Sequence, residues 1–188
     1  EITKGVSPKW QGVNYVDKGT LFITSENIGN GELILKNKKF VESKFDKLQK
    51  KSILTRNCIL TNIVGASIGR TALFDLDEKA NINQAVALVR LKETLESRFI
   101  VYLLNSDLII QFMEKIISQT ARSNLSLEDV GKFPLVIPPL PEQQQIASIL
   151  SNIDTQIGKE KLHKSNLERL KKGLMQKLLT GQIRVKVP

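Results

Sequence analysis

Cysteine and histidine are nearly missing from this chain: its 188 residues include one of each, Cys58 and His163. A lone thiol cannot close an intramolecular disulfide, and no cysteine-rich zinc site can be built around it. A lone imidazole likewise leaves no material for a His-based metal cluster. Long apolar runs are missing too. The longest, at residues 99–104 and 133–140, fall far short of the roughly 20 residues a membrane span needs, and no secretory signal opens the chain. The expected location is therefore the cytoplasm, with no membrane partner. The first residue is Glu1 rather than Met, which points to a fragment of a longer chain. What remains, 41% hydrophobic and 25% charged, is ordinary globular composition for one domain or a domain with an appendage.

The charge is one-sided. There are 28 Lys and Arg against 19 Asp and Glu, a formal net charge of +9. It is densest at residues 36–56, where Lys36, Lys38, Lys39, Lys44, Lys47, Lys50, Lys51 and Arg56 meet only Glu42 and Asp46. Clustered cations neutralise phosphates and release their counterions, so a polyanion is the natural partner. A surface that merely keeps the chain soluble is the competing account.

Two regimes follow one another along the chain. Up to about residue 138 the pattern is mixed α+β. Short runs of strand-forming residues lie at 21–25, 57–62, 70–75 and 85–91, with glycines between them as turns. Helical spacing of Phe99, Tyr102, Leu103, Leu108, Phe112 and Ile116 predicts one helix over 96–119. A capping sequence at 123–129 predicts one short helical turn. Residues 133–137 read as a last strand, stopped by Pro138, Pro139 and Pro141. That proline cluster is the expected boundary between a globular domain, 1–138, and a second region, 139–188.

Beyond it the period changes. From Glu142 to Leu179 there is no proline and the only glycines are Gly158 and Gly173, which predicts one helix roughly 55–60 Å long at 1.5 Å per residue. A heptad frame puts Ile146, Ile153, Glu160, Leu167 and Leu174 at one seam position and Ile149, Gln156, His163, Leu170 and Lys177 at the other, with Leu150, Ile157 and Leu178 widening the stripe. Such a helix needs a second long helix. If that partner runs antiparallel and crosses near residue 161 or 162, Glu160 meets His163 and Lys164, whereas a parallel pair stacks Glu160 on Glu160. The plainer account is that the polar middle is simply solvated.

Catalytic signatures are weak. Gly65-Ala66-Ser67-Ile68-Gly69-Arg70-Thr71 has its glycines too close for a phosphate loop and Arg in place of Lys, so a turn between two strands is the better account. Cys58 sits in an apolar run and reads as a core residue. Asp17 with Glu42-Ser43-Lys44, or Asp77-Glu78-Lys79, has tolerable spacing for a Mg²⁺-dependent nuclease but lacks flanking β-branched residues. No Asn-Pro-Pro-Tyr-like methyltransferase loop is present. The expectation is no enzyme, with no catalytic or metal-binding residues.

Several segments, in order, resemble the specificity subunit of type I restriction–modification systems: Gly5-Val6-Ser7-Pro8-Lys9-Trp10, then residues 20–28, Gly65-Ala66-Ser67-Ile68-Gly69-Arg70-Thr71-Ala72, and Asn81-Ile82-Asn83-Gln84-Ala85. The most specific is the hinge Phe133-Pro134-Leu135-Val136-Ile137-Pro138-Pro139-Leu140-Pro141-Glu142-Gln143-Gln144-Gln145. The end, Leu178-Leu179-Thr180-Gly181, is similar as well. The resemblance implies a target recognition domain followed by a long coiled-coil helix. In the family two such helices pair antiparallel as a ruler between two DNA-reading domains. It further implies a non-catalytic subunit that docks modification and restriction subunits, which carry S-adenosylmethionine, ATP and Mg²⁺. With one recognition domain and one helix, the chain is expected to be either a half-sized subunit acting as a dimer or an excised half. The Glu1 start and the short tail after Gly181 favour an excised carboxy-terminal half.

For double-stranded DNA, the expected phosphate contacts are Lys36, Lys38, Lys39, Lys50 and Lys51. Arg pairs bidentately with guanine and Asn with adenine, which makes Asn37, Asn62, Arg70, Arg122 and Asn124 candidate base readers. Each also has a structural account: Asn37 as a turn former, Asn62 and Arg70 as supports of the glycine turn, Asn124 as a helix cap. Self-association is expected through Ile146, Ile149, Ile153, Ile157, Glu160, His163, Leu167, Leu170, Leu174 and Leu178.

Overall fold

A computed structural model of the chain describes residues 1–120 and 124–186. They divide into two compact units, Glu1–Gln144 and Gln145–Pro188. No described helix is long and apolar enough to cross a membrane.

The first unit is built on two sheets. One has the order β1 (Ile2–Lys4), β9 (Val86–Val89), β6 (Cys58–Asn62), β7 (Thr71–Phe74), all antiparallel. The other has the order β2 (Tyr15–Val16), β4 (Lys39–Val41), β3 (Thr20–Ile23), β8 (Ala80–Ile82), β5 (Ile53–Leu54), with β3 and β8 parallel. Alternation along the strands decides what each face buries. Leu21 and Ile23 of β3, Ala80 and Ile82 of β8, Cys58 and Leu60 of β6, and Val86 and Leu88 of β9 form one core between the sheets. Phe22, pointing the other way, joins Val13, Val41 and Phe45 in a second core, where its ring meets Phe45 edge-on at 5.6 Å. Phe45 comes from the short helix α1 (Lys44–Leu48), and Asp46 on that helix accepts hydrogen bonds from Thr20 Oγ1 and Asn81 Nδ2, both at 2.9 Å.

Backbone closeness explains Gly5. A Cβ there would stand 1.8 Å from the Ile82 carbonyl oxygen, so no other residue fits without moving β8.

The outer face of β6 and β7 is covered by α2 (Ser97–Leu104), which buries Phe99, Ile100, Val101 and Leu104. The single helix expected over 96–119 is in fact two, because the chain breaks at Asn105 and Ser106 before α3 (Asp107–Thr120). Asn105 turns its side chain back onto Thr71 and Val101, and Ser106 Oγ donates to the Leu103 carbonyl. Apolar periodicity runs straight through the break, so it is invisible to a pattern count. The expected helical turn after residue 123 is α4 (Leu127–Gly131), closed by a reciprocal Ser126–Asp129 capping box.

The strand expected at 133–137 does not form. Pro134 cannot donate to a ladder, and the segment runs extended without a partner strand. Phe133 is buried against Phe112, ring centroids 6.3 Å apart, while Val136 is 79% exposed.

The long helix α5 runs Leu140–Leu179. The first unit continues past the prolines taken as the boundary and includes the start of this helix. Gln143 is the tie: buried, it accepts from the Glu96 N–H at 3.0 Å and donates to the Pro138 carbonyl at 2.8 Å. The second unit is the remainder of α5 and the segment after it.

Candidate nucleic-acid interface

The basic stretch 36–56 is spread over β4, α1 and the turn before β5. Its two halves lead into β4 and β5, which are separated in the sheet by β3 and β8. Lys50 and Lys51 form a 3-10 turn (Lys50–Ser52) whose backbone is fixed by Arg90, which donates to the Lys51 and Ile53 carbonyls.

Half of the charge is also internally matched. Lys38 Nζ contacts Glu78 at 2.8 Å, Lys39 contacts Glu26 at 2.8 Å, Lys44 contacts Glu42 at 3.0 Å, and Arg56 contacts Asp77. The Lys39 hydrogen bond and charge hold the Glu26 carboxyl below its usual range. Glu42 is held low first by the Asn14 N–H and then by Lys44. Lys36, Lys47, Lys50 and Lys51 make no ion pair among the described residues. Asn37 is exposed beside Lys36.

The other sequence candidates meet at the loop end of the first sheet. The turn between β6 and β7 is the glycine-rich segment, with Gly65 at φ +87° and Gly69 at φ +89°, values that favour glycine. Asn62 is fully buried and cannot touch a base. Its Nδ2 donates to the Ser25 carbonyl and to Ser67 Oγ, both at 3.0 Å, so its work is to brace the turn. Its backbone does the same: Asn62 N–H donates to the Arg70 carbonyl, and Gly69 N–H to the Asn62 carbonyl, each at 2.9 Å. Asn124, exposed, is brought to this turn by a bridge to Val64. It does not cap α4, a role taken by Ser126. Arg122 lies outside the described residues.

Arg70 therefore stands between two fixed points. Asn62 holds its carbonyl, and the next residue, Thr71, is gripped by the Asn105 side chain. Its own guanidinium is exposed and has no partner among the described residues. Sequence reasoning missed Asn105 and Asn30, the second of which sits in a turn that lies on β7. The Gly29-Asn30-Gly31 tripeptide was the available signal for that turn.

Three of the four acids weighed for metal catalysis are engaged elsewhere: Glu42 with Asn14 and Lys44, Asp77 with Arg56, Glu78 with Lys38. Among the described residues no group of three or more His, Cys, Asp and Glu comes together. Cys58 is buried in the core, its Sγ 3.5 Å from Thr55 Oγ1.

In the second unit, Ile149, Ile153 and Ile157, and further along Leu167, Leu170, Leu174 and Leu178, form two apolar stretches at three- and four-residue spacing on α5, each residue 40 to 58% exposed, with Glu160 and His163 continuing the row between them. Glu160 and His163 lie exposed in the middle of the row, and Ile146 precedes it on the same helix.

Comparison with known proteins adds the family context. A family model described as type I restriction modification DNA specificity domain matches residues 2–169. The chain is 28% identical over 177 residues to the specificity subunit of type I restriction enzyme MjaVIII from Methanocaldococcus jannaschii, covering 92% of this chain and 42% of that protein. It is 26% identical over 193 residues to the EcoKI specificity subunit of Escherichia coli K12, covering 99% and 41%. The chain thus spans about two fifths of the length of these curated relatives. Its fold matches the crystal structure of the HsdS subunit from Thermoanaerobacter tengcongensis with a TM-score of 0.61 at 21% identity, over 94% of this chain and 41% of that one. The S subunit of a type I restriction–modification system from M. genitalium matches with a TM-score of 0.54 at 18% identity, over 88% and 42%.

Proposed function

The chain belongs to the type I restriction modification DNA specificity domain family, and from that premise we propose that it reads one part of a duplex DNA target for a type I restriction–modification enzyme and catalyses no reaction itself. The observation that carries this reading is the state of Arg70. Its backbone is clamped on both sides while its guanidinium is left exposed and unpaired. A fixed backbone sets where the side chain starts, and an unpaired guanidinium has no internal contact to give up before it meets a guanine edge.

Phosphate contacts are assigned to the unpaired cations, Lys36, Lys47, Lys50 and Lys51, with Asn37 and Asn124 near the path of the duplex. Lys38 and Lys39 join them when phosphate replaces Glu78 and Glu26, an exchange of one anion for another. Such contacts position the protein and release counterions without reading sequence.

The exposed row on α5 supports a second role. An apolar stripe of this length favours burial against another long helix. An antiparallel pair brings Glu160 to His163 and Lys164 and keeps apolar ends together. The paired helices would then space two DNA-reading units and offer a surface to modification and restriction subunits. Those subunits supply S-adenosylmethionine, ATP and Mg²⁺ chemistry; this chain takes no cofactor and works in the cytoplasm.

A coiled-coil scaffold that binds only protein is the second reading, favoured by the α5 row alone. Titration of a labelled duplex across a series of salt concentrations separates the two. A reader loses affinity linearly in the logarithm of salt concentration; a scaffold shows no duplex binding. Incubation of duplex with Mg²⁺ and the chain alone tests the nuclease reading, and intact DNA is the expected result.

A further inference from the structure

A second side chain stands at the same rim as Arg70. Residues 29–32 make a tight turn closed by a bridge between Ile28 and Leu33 and by the Gly29 N–H donating to the Glu32 carbonyl at 3.0 Å. This turn is fastened to β7. Gly31 N–H donates to the Thr71 carbonyl at 2.8 Å, Leu73 N–H donates to the Gly31 carbonyl at 3.4 Å, and Gly31 and Ala72 pair as a parallel bridge. Gly31 has φ +92°, which side-chain-bearing residues rarely adopt. Asn30 precedes Gly31 and Arg70 precedes Thr71, so the Gly31–Thr71 hydrogen bond brings the two residues to the same rim.

The amides around this rim divide by function. Asn27, Asn62 and Asn105 are turned into the protein and hydrogen-bonded to backbone or side-chain groups. Asn30 is exposed, and its side chain has no partner among the described residues. Asn also suits a turn backbone, but that role leaves its amide free to make a further contact.

We propose that Asn30 is a specificity-determining residue that reads an adenine beside the base read by Arg70, the two acting as one unit on adjacent base pairs in the major groove. This rests on the DNA-reading function proposed above. Asn and Arg are the side chains that pair bidentately with adenine and guanine. Each stands next in the chain to one member of the Gly31–Thr71 hydrogen bond, which brings their side chains to neighbouring places on one rim.

The test is selection of bound sequences from a randomised duplex pool by the full chain, its Asn30→Ala and Asn30→Asp variants, and Arg70→Ala. Thermal unfolding is measured on each to confirm that an exposed change leaves the fold intact. Both Asn30 variants are expected to lose preference at one position by roughly 5- to 150-fold, with Arg70→Ala losing preference at the neighbouring position. Affinity for unrelated duplex stays within about twofold for Asn30→Ala, since a base contact adds little to non-specific binding, while the added charge of Asn30→Asp weakens all duplexes alike. An unchanged motif for both Asn30 variants overturns the assignment of Asn30 while leaving the DNA-reading function intact. Loss at positions that are not adjacent overturns the paired unit. A parent chain that selects no motif overturns the DNA-reading function itself.

Discussion

Asn105 and Thr71 hold each other through two hydrogen bonds: the Thr71 N–H donates to Asn105 Oδ1 at 3.2 Å, and Asn105 Nδ2 donates back to the Thr71 carbonyl at 2.8 Å. Thr71 opens β7, the edge strand of its sheet, and the Asn105 amide takes the place of a further strand there. One residue thus ends α2, caps a sheet edge and fixes the backbone next to Arg70. Asn105→Ala removes these bonds and the one to the Val101 carbonyl, and is expected to destabilise the fold by about 1–3 kcal/mol in urea unfolding. Asn105→Asp keeps the acceptor for the Thr71 N–H but loses both donations, and should fall near the Ala variant. Stability within about 0.5 kcal/mol of the parent would contradict the clasp.

Gly5→Ala is expected to be far worse than its size implies. The added methyl meets a carbonyl oxygen at 1.8 Å, and backbone cannot yield as a flexible side chain can. Overpacking of this kind costs about 1–3 kcal/mol or more. Gly158→Ala should do the reverse, because nothing lies within 4 Å of the new Cβ and a helical glycine costs about 0.5–1 kcal/mol relative to alanine. Thermal unfolding of the two variants checks the contrast in sign.

Glu26 ties an acid to a proposed phosphate contact. Its carboxyl is held low by Lys39, so the ion pair is complete above the ordinary Glu range and is lost as pH falls through the lowered value in the fold. Lys39→Ala should move the Glu26 titration, followed by NMR, upward to the ordinary range. Glu26→Gln frees Lys39, and the slope of log affinity against log salt should steepen by about one unit for all duplexes alike. A slope that does not change takes Lys39 out of the interface.

The row on α5 predicts self-association that Leu167→Glu with Leu174→Glu abolishes in sedimentation. With Cys58 replaced, cysteines at positions 149 and 174 should cross-link to each other across an antiparallel pair. Cross-links from 149 to 149 would show parallel helices.

Much of this fold was legible in the sequence. Leu21, Ile23, Leu60 and Leu88 stand in short apolar runs of strand-forming residues, and the heptad stripe with Pro141 near its start marked α5 within two residues at its beginning. What escaped was tertiary. The break at Asn105 depends on a partner, Thr71, 34 residues away. The run at 133–137 is apolar because Phe133 packs on Phe112, not because it pairs in a sheet. In the candidate site, Arg70 is exposed on the glycine turn that the sequence marks. Of the two readings the sequence offered for Asn62, base reader and support of the glycine turn, the buried side chain takes the second, a choice set by tertiary packing that no local pattern marks.

The most direct test of DNA reading is competition between a duplex carrying the motif selected by the full chain and the same duplex with that motif scrambled, at two salt concentrations. The account predicts one short contiguous motif. It also predicts that the intact motif is preferred at both salts, while both affinities fall as salt rises. Equal affinity for intact and scrambled duplex would contradict it.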